Sequence, residues 1–433
     1  MRQYRIRGGN RLSGELCIGG AKNAALPILA AVCLNESETV IHNCPRISDT
    51  LDSIKILECI GCGIEFVGNT LKINSYGNLK YDIPDECARK MRSSILFMGA
   101  MLARNGRVNL ALPGGCKLGK RAIDLHISGL EAMGAKISEE GEKLFCETDG
   151  LKGAKIKLNI ASVGATENLM IAAVKAKGET IIENAAREPE ITDLALFLKN
   201  LGADIRGAGT STLIINGVEK LHAKNTHNIM PDRIVAGTYL LAAAMTAGEI
   251  LLSNVNPFDL TPFSAYLSEM GCTLRPENDT VFLRAPERLL AVPRLITKVH
   301  PGFPTDMQAQ FVAALSTAKG QSEVTETIFE GRFRHVSELR KMGASIHLTA
   351  DKQIFIIDGT ERLHGATVKA HDLRCGAALV LAALSAEGET IVQNAQYVER
   401  GYAGIEKDLT SLGADIRLEI LPDKAPEKFK ECA

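Results

Sequence analysis

A cysteine in a glycine-rich, basic loop is the most chemically distinctive feature of the sequence. Cys116 lies in the stretch LPGGCKLGKR (residues 112–121), after two glycines and close to three cations. Nearby cations favour the thiolate and so increase the reactivity of a cysteine. The stretch also resembles a phosphate-binding P-loop, but that motif needs Ser or Thr where Arg121 stands, so we reject a nucleoside triphosphatase. We predict a mobile loop with a functional thiol; an inert surface cysteine is the alternative.

A second candidate site is the stretch GGAKNAALP (residues 19–27), in which two glycines precede a predicted helix that opens with Lys22 and Asn23. Backbone N–H groups at a helix start, the helix dipole and a cation together bind anions. A Gly-Gly turn before a helix is common, so this pattern is specific only in combination with other signals.

Four arginines and one carboxylate complete the set of candidate residues. Arg92, Arg332, Arg374 and Arg400 are scattered along the chain, and no spacing rule assembles them. Asp306 lies in FPTDMQAQ (residues 303–310), near a predicted helix start. Helix capping and catalysis are therefore both open interpretations of Asp306.

The composition limits the class of protein. The chain has 433 residues, which is too long for one ordinary core and predicts two domains of roughly 200 residues each. Hydrophobic residues make up 45% and charged residues 23%, as in soluble globular proteins, and the net charge of −1 argues against nucleic acid as a partner. The sequence shows neither a signal peptide nor an apolar run long enough for a membrane span, so we expect a cytoplasmic protein.

The cysteines do not indicate a disulfide framework. There are eleven, an odd number in a large chain. The pair Cys59-x-x-Cys62 has no second pair and no histidine at ligand spacing, so burial of small thiols is favoured over a metal or redox site. We expect a reducing cytosol and no metal.

Six copies of one structural unit must position these residues. A helix end reading apolar-Gly-small recurs about every 70 residues, at Gly61, Gly134, Gly202, Gly271, Gly343 and Gly413, and each glycine is suited to end a helix in the left-handed conformation. Alanine-rich helices precede most copies, for example in residues 165–185, 235–255 and 375–395. Each unit therefore reads strand–helix–strand–helix–strand–strand.

The periodicity of these elements predicts where they lie. The alanine-rich helices are apolar on nearly every face and should be buried, whereas several strands alternate apolar and polar residues and should have one face in water. We therefore predict central helices and outer sheets, with three repeats in each of two lobes. An open solenoid is the competing arrangement.

Eight segments, taken in order, resemble the UDP-N-acetylglucosamine 1-carboxyvinyltransferases of the enolpyruvyl transferase family. They are GAKNAALPI, LPGGCKLGKR, DLHISGLEAMGA, SVGATEN, ENAAREPEI, PDRI, FPTDMQAQ and DLRCGAALVLA, within residues 20–382. The resemblance implies an α/β fold of two inside-out, barrel-like domains, each of three βαβαββ repeats with buried helices. It assigns residues 22–230, with the cysteine loop, to domain I, and residues 1–21 plus 231–433 to domain II, with the active site in the cleft between them.

The implied activity is transfer of the enolpyruvyl group of phosphoenolpyruvate to the 3′-hydroxyl of UDP-N-acetylglucosamine. Phosphate leaves by addition and elimination through a tetrahedral ketal, in the first committed step of peptidoglycan synthesis, which supports cell wall biogenesis, cell shape and cell division. The resemblance implies no cofactor and no partners other than the two small-molecule substrates. It also implies that Cys116 carries pyruvate adducts and reacts with fosfomycin, an epoxide mimic of phosphoenolpyruvate.

The resemblance also implies roles for individual residues. Cys116 would protonate the methylene carbon of phosphoenolpyruvate, and Asp306 would take or orient the hydroxyl proton. Phosphoenolpyruvate would contact Lys22, Asn23, Arg121 and Arg400. The sugar nucleotide would contact Arg92, Arg121, Ala122, Ile123, Asp124, Leu125, Ser162, Val163, Gly164, Asp306 and Ile328. Arg332 and Arg374 would support the anion cluster.

Three positions depart from the family pattern. Ala122 replaces a common proline, Ile160 replaces a lysine found in some members, and Glu399 replaces a common aspartate. The nearest rival function is that of 5-enolpyruvylshikimate-3-phosphate synthase, which lacks this cysteine loop. A rival of another class is a silent paralogue that binds a UDP-sugar and regulates its pathway.

Overall fold

The helices fall into buried and amphipathic sets. The computed structural model describes residues 2–114, 123–350 and 353–422. Its α-helices are α1 (Lys22–Ala31), α2 (Ser48–Ile60), α3 (Asp85–Ala88), α4 (Leu96–Asn105), α5 (Asp124–Ala132), α6 (Val163–Ala173), α7 (Pro189–Asn200), α8 (Arg233–Met245), α9 (Pro257–Glu269), α10 (Gln308–Leu315), α11 (Arg334–Lys341), α12 (Leu373–Ser385) and α13 (Ile405–Ser411). Helices α1, α4, α6, α8, α10 and α12 are buried along most of their length. The predicted burial of the alanine-rich helices is therefore confirmed.

The strands of the described ranges are short and form six small sheets. In chain order they are β1 (Arg2–Arg7), β2 (Ser13–Cys17), β3 (Glu38–His42), β4 (Gly63–Val67), β5 (Thr70–Asn74), β6 (Arg107–Ala111), β7 (Lys136–Glu140), β8 (Lys143–Glu147), β9 (Lys155–Lys157), β10 (Glu179–Glu183), β11 (Asp204–Arg206), β12 (Thr212–Asn216), β13 (His227–Asn228), β14 (Glu249–Ser253), β15 (Thr273–Glu277), β16 (Thr280–Arg284), β17 (Arg294–Ile296), β18 (Gln321–Thr325), β19 (Ser345–Leu348), β20 (Ile354–Asp358), β21 (Thr367–Lys369), β22 (Glu389–Gln393) and β23 (Asp415–Ile420). Most of the longer strands alternate between buried and exposed residues, as expected for sheets with one solvated face.

One strand order recurs in the sheets. In the sheet β11-β12-β10-β9, the first strand of the unit pairs parallel with the second, and the remaining pairs are antiparallel. The sheets β13-β3-β5-β4, β15-β16-β14-β2 and β17-β18-β20-β19 repeat this order, and β6-β8-β7 has an isolated bridge where its first strand would lie. In the sheet β21-β22-β1-β23, the N-terminal strand β1 lies between β22 and β23 and pairs antiparallel with both. The repeated unit predicted from the sequence is therefore present.

The six recurring glycines all have a positive φ. The values lie between 92° at Gly134 and 112° at Gly61, and each glycine follows the end of a helix. A side chain at such a φ would be strained, which explains why glycine recurs at these positions. The predicted left-handed helix ends are confirmed.

Buried apolar residues form two separate clusters. The first core extends from Ala21 to Ile229 and contains α1, α4 and α6, which pack against one another. The second core contains Tyr4 to Ile18 and Ile234 to Ile416, with α8, α10 and α12 at its centre. Within the described ranges, no helix has the length and hydropathy that a membrane span requires.

The chain passes between the two cores at two adjacent segments. Gly20 forms an antiparallel bridge with Pro231, and the backbone N–H of Ala21 donates to the carbonyl of Met230 at 2.8 Å. A Cβ atom on Gly20 would lie 1.8 Å from the carbonyl oxygen of Asn43, so only glycine fits there. The two passages therefore support each other at the start of α1.

Candidate functional site

Two cations from opposite ends of the chain meet at one buried carboxylate. Asp49, in the first turn of α2, is 3% exposed. Its Oδ2 lies 2.7 Å from Lys22 Nζ, and its Oδ1 accepts a hydrogen bond from Arg400 Nε at 2.8 Å. Lys22 begins α1, where its backbone N–H donates to Asp232 at 3.0 Å. Sequence reasoning missed Asp49, because nothing local distinguishes it from an ordinary first-turn aspartate.

Burial and charge act in opposite directions on this trio. Burial raises the pKa of Asp49, but the Lys22 ammonium and the Arg400 guanidinium more than offset it, so the net pKa lies below its ordinary value. Burial lowers the pKa of Lys22, while the charge of Asp49 opposes that change. Asp49 therefore holds Lys22 and Arg400 close together by reducing their mutual repulsion.

A second carboxylate, Asp306, lies between two arginines. It belongs to the short 3₁₀ helix Thr305–Met307 that precedes α10. Arg332 Nη1 donates to its Oδ1 at 2.9 Å and Arg374 Nη2 donates to its Oδ2 at 2.7 Å. The amide of Asn23, from α1, lies 3.4 Å from the same Oδ2. Asp306 therefore joins residues that the sequence places far apart.

The environment of Asp306 bears on one of its two interpretations, the capping role. Neither the 3₁₀ helix nor α10 receives a side-chain cap, so the capping role is not observed. Burial raises the pKa of Asp306, but Arg374 and Arg332 outweigh that effect and hold the pKa well below its usual range. With its pKa held low, the group is an ionised hydrogen-bond acceptor and a weak base at neutral pH.

A buried glutamate that sequence reasoning missed organises the neighbouring loop. Glu326, 2% exposed, follows β18. Its Oε2 accepts from Thr305 Oγ1 at 2.9 Å, and its Oε1 accepts from the backbone N–H of Ile328 at 2.8 Å. Thr305 Oγ1 also lies 2.8 Å from Arg332 Nη1. One carboxylate therefore fixes both Arg332 and the loop at Ile328, and the only sequence signal was an acidic residue between threonines.

A separate set of candidates lies at the starts of α5 and α6. Ile123 precedes α5, and Ser162 caps α6 by accepting a hydrogen bond from Ala165 N at 3.4 Å. A Cβ atom on Gly164 would lie 3.4 Å from the ring of His126, which belongs to α5. The two helix starts are therefore adjacent, and the sequence candidates Ile123, Asp124, Leu125, Ser162, Val163 and Gly164 lie around them.

His126 connects this set to Arg92. The Asn168 side-chain amide donates to His126 Nδ1 at 3.0 Å and to the Ile95 carbonyl at 3.2 Å, which fixes the 3₁₀ helix Arg92–Ile95 beside α5 and α6. Burial, followed by the charge of Arg92, lowers the pKa of His126 to about 4. The imidazole is therefore neutral at physiological pH, and Arg92 lies within electrostatic range of it.

The remaining candidates are distributed as follows. Cys116, Arg121 and Ala122 lie outside the described residues. Ile328 is partly exposed and Ile160 is 65% exposed. Glu399 forms an ion pair with Arg2 at 2.8 Å. Within the described ranges, no group of three histidine, cysteine or acidic side chains could hold a metal ion.

Comparison with known proteins identifies relatives over almost the whole chain. The family model described as EPSP synthase (3-phosphoshikimate 1-carboxyvinyltransferase) matches residues 6–409. A relative from Caldanaerobacter subterraneus subsp. tengcongensis, named UDP-N-acetylglucosamine 1-carboxyvinyltransferase 2, is 49% identical over 96% of this chain and 99% of its own length. UDP-N-acetylglucosamine 1-carboxyvinyltransferase 1 from Symbiobacterium thermophilum is 47% identical over 96% of this chain and 94% of its own length.

Solved structures agree with these sequence matches. The enolpyruvyl transferase NikO from Streptomyces tendae has a TM-score of 0.88 and 26% identity, covering 97% of this chain and 99% of that one. EPSP synthase from Acinetobacter baumannii has a TM-score of 0.75 at 19% identity, covering 97% and 100%, and so shares the fold. On both the sequence and the structural evidence, the chain belongs to the enolpyruvyl transferase family, in the group of the UDP-N-acetylglucosamine 1-carboxyvinyltransferases.

Proposed function

We propose that the protein transfers the enolpyruvyl group of phosphoenolpyruvate to the 3′-hydroxyl of UDP-N-acetylglucosamine and releases phosphate. The observation that carries this proposal is the convergence of Lys22 and Asn23 with Arg374, Arg400 and Asp306, because it joins cations for a small dianion to a carboxylate for an acceptor hydroxyl. The names of the relatives support the same reaction. The step would begin peptidoglycan synthesis, which uses cytoplasmic precursors, so we assign the protein to the cytoplasm.

We infer that the two cores are two inside-out domains, residues 22–230 and residues 1–21 plus 231–433. Each core has three mutually packed helices and sheets with alternating burial, which supports this arrangement. The active site would then lie in the cleft where Asp49 meets Arg400 and Asn23 meets Asp306.

The donor would bind to the cations held by Asp49. Lys22 and Arg400, with Arg121 of the cysteine loop, would bind the phosphate and carboxylate of phosphoenolpyruvate, and Asn23 would add an amide donor. Arg332 and Arg374 supply further positive potential next to Asp306. A desolvated group of cations stabilises the negative charge of the departing phosphate.

The acid–base steps follow from the low pKa of Asp306. In our proposal the anions of the bound substrate offset the neighbouring cations and keep Cys116 as a thiol. Cys116 first protonates the methylene carbon C3, so positive charge develops at C2 of the donor. The sugar hydroxyl attacks C2 and becomes an oxonium, which is strongly acidic, so a weakly basic carboxylate such as Asp306 suffices to accept its proton. The resulting ketal then loses a C3 proton to the thiolate of Cys116 and releases its phosphate, which takes the proton held by Asp306, so the enol ether forms and both residues return to their starting states.

The sugar nucleotide would lie along the starts of α5 and α6. Free backbone N–H groups at helix N-termini favour phosphate, and Arg92 adds a positive charge. Ile328, positioned by Glu326, would contact the sugar beside Asp306. Ile160 stands where some members of the family have a lysine, so this chain would lack that cationic contact to the diphosphate.

Release of phosphate from phosphoenolpyruvate tests the proposal directly. We expect phosphate release only when UDP-N-acetylglucosamine is present. The product should be heavier than UDP-N-acetylglucosamine by one enolpyruvyl group. Release with shikimate 3-phosphate instead would assign the protein to the related synthase reaction. Tight binding of the sugar nucleotide without phosphate release would identify a silent paralogue.

A further inference from the structure

Two cysteines outside the proposed active site lie in contact. Cys59 is in the last turn of α2 and Cys87 is in α3, and their sulfur atoms are 3.9 Å apart. Among the nine cysteines that the structure describes, this is the only pair whose sulfur atoms form a hydrogen-bond contact. Cys62, the other member of the sequence pair Cys59-x-x-Cys62, is buried.

The two thiols differ in access to solvent. Cys59 is partly exposed, whereas Cys87 is 3% exposed. Burial raises the pKa of Cys87, and its hydrogen bond with Cys59 raises it further. Cys59 is therefore the thiol that an oxidant in solution reaches, and Cys87 is in place to react with the oxidised product.

The surroundings allow the sulfur atoms to approach. A disulfide needs about 2.05 Å between them, so side-chain rotation with a small shift of α3 would have to shorten the contact by about 2 Å. Helix α3 has only four residues, and ion pairs of Asp85 with Lys143 and of Arg89 with Glu142 hold it at the surface. Exposed ion pairs of this kind contribute little free energy and so resist such a shift weakly.

We propose that Cys59 and Cys87 are an oxidation site that forms an intramolecular disulfide when the protein meets a hydroperoxide. The Cys59 sulfur attacks the peroxide, the O–O bond breaks, and a sulfenic acid and an alcohol or water are formed. The Cys87 sulfur then attacks the sulfenic sulfur, and water leaves. The two thiols together lose two electrons to the peroxide, and both their protons end in water or the alcohol.

The bond would tie α2 to a segment that reaches the proposed active site. After Cys87, the carbonyl of Ala88 accepts from Ser94 Oγ at 2.7 Å, beside Arg92. The carbonyl of Arg89 packs so closely on Gly114, where the cysteine loop begins, that a Cβ atom there would lie 1.7 Å from it. Oxidation should therefore restrain residues 85–95 through direct backbone contacts.

Peptide mapping after hydrogen peroxide treatment tests the site. Free thiols are alkylated, the protein is digested without reduction, and a peptide linking Cys59 to Cys87 is expected. The link should be absent in Cys59→Ser and in Cys87→Ser, and retained in Cys17→Ser, which removes an exposed thiol on β2. Cys62→Ala should also retain it, because pairing within Cys59-x-x-Cys62 is not expected. Hydrogen exchange of residues 85–95 should slow on oxidation in the wild type and in the two variants that retain the link, but not in Cys59→Ser or Cys87→Ser.

The exposed thiol of Cys17 gives an internal standard for the dose of peroxide. If Cys17 is oxidised while Cys59 and Cys87 are still alkylated as free thiols, the proposal is wrong. A Cys59–Cys62 link, a link between two molecules, or sulfinic acid at Cys59 without a link would each overturn it as well. None of these measurements requires enzymatic activity, so they are independent of the proposed reaction.

Discussion

Asp49 and Asp306 illustrate one principle at the level of single residues. Each is a carboxylate with two basic partners, Asp49 buried and Asp306 with a side chain that is 24% exposed, and in each the cations outweigh desolvation and depress the pKa. A buried charge is tolerated only when it is paired and hydrogen-bonded, so each site also fixes the positions of its cations. The carboxylates therefore arrange four of the cations that the proposed reaction uses.

Asp306→Asn should greatly slow turnover while substrate binding persists. The amide keeps the shape but loses the charge that accepts the hydroxyl proton, and acid–base groups contribute about 10²–10⁴-fold to a rate. We expect kcat to fall by that factor and the KM of UDP-N-acetylglucosamine to change less. Asp415→Asn on the outer strand β23 is the control, with unchanged kcat. A kcat near that of the wild type in Asp306→Asn would leave only the pairing of Arg332 and Arg374 as its role.

Cys116 should be both the proton donor and the target of an epoxide. Cys116→Asp keeps an acid in the loop, so it should retain activity and escape inactivation by fosfomycin, whereas Cys116→Ala should lose most turnover. Peptide mapping of treated wild-type protein should find the adduct on Cys116. The adduct should form faster when the sugar nucleotide is present. An adduct on Cys375, or a fully active and sensitive Cys116→Ala, would contradict the proposed mechanism.

Asp49→Asn should weaken both donor binding and the fold. Removing the charge leaves Lys22 and Arg400 without their shared partner, and breaking a buried ion pair costs about 3–5 kcal/mol. The KM of phosphoenolpyruvate should rise. Asp52→Asn, on the same helix and beside Lys90, is the matched control.

The stability lost in Asp49→Asn should depend on pH, because the pKa of Asp49 in the folded protein is depressed. A carboxylate with a lowered folded pKa contributes stability above its unfolded pKa, about 4, and loses it as pH falls through the folded value. The difference in unfolding free energy between wild type and Asp49→Asn should thus be full at pH 7 and shrink below about pH 4. Urea unfolding of both proteins at a series of pH values measures this difference in free energy. A difference that does not change with pH would contradict the ionic role of Asp49.

At the level of elements, one buried carboxylate makes several contacts to the loop after β18, which Thr297 also holds through Thr327. Glu326 accepts hydrogen bonds from Thr305 and from the backbone N–H groups of Ile328 and Phe329. Such a buried acceptor stabilises the loop only if both of its oxygens are available. The loop at Ile328 and the guanidinium of Arg332 therefore depend on the same carboxylate, which couples the sugar contact to the anion cluster.

Glu326→Gln should loosen this loop without removing any proposed substrate contact. One oxygen becomes an NH₂ donor, so at least one hydrogen bond is lost at a cost of about 1–3 kcal/mol. We expect a higher KM for UDP-N-acetylglucosamine with kcat less affected, and a lower melting temperature. Glu323→Gln, on β18 itself and paired with Arg294, is the control. Unchanged KM and melting temperature in Glu326→Gln would exclude the positioning role.

The sequence predicted elements better than it predicted the contacts between them. The glycines that end helices, the buried alanine-rich helices and the succession of strands and helices along each unit are local patterns, and the structure confirms them. Asp49 had no local signal, and Glu326 had only the weak one of an acidic residue between threonines, because each becomes functional through partners from distant segments. Arg332, Arg374 and Arg400 were identified individually, but only the fold showed that two share Asp306 and the third binds Asp49.

At the level of the whole molecule, few contacts join the two cores. The passages at Gly20 and Pro231 pair with each other, and Arg233 donates to Glu190 at 3.0 Å in a buried ion pair. Further polar contacts between the described parts of the cores include Arg400 with Asp49, Asn23 with Asp306, and Ser48 Oγ with the carbonyl of Glu399 at 3.5 Å. Ligands that bind between these groups are thus expected to change the arrangement of the domains as well as the site.

Closure on the sugar nucleotide is the prediction that tests this arrangement. UDP-N-acetylglucosamine would contact Arg92 and the starts of α5 and α6 on the first core, and Asp306 on the second, so its binding energy favours the closed state. Small-angle scattering should therefore show a smaller radius of gyration when the nucleotide is added to the wild-type protein. Asp49→Asn lacks the ion pair with Arg400 and should compact less at equal saturation, whereas Asp52→Asn should behave as the wild type does. Tight binding with an unchanged radius of gyration would mean that the two cores move as one rigid body.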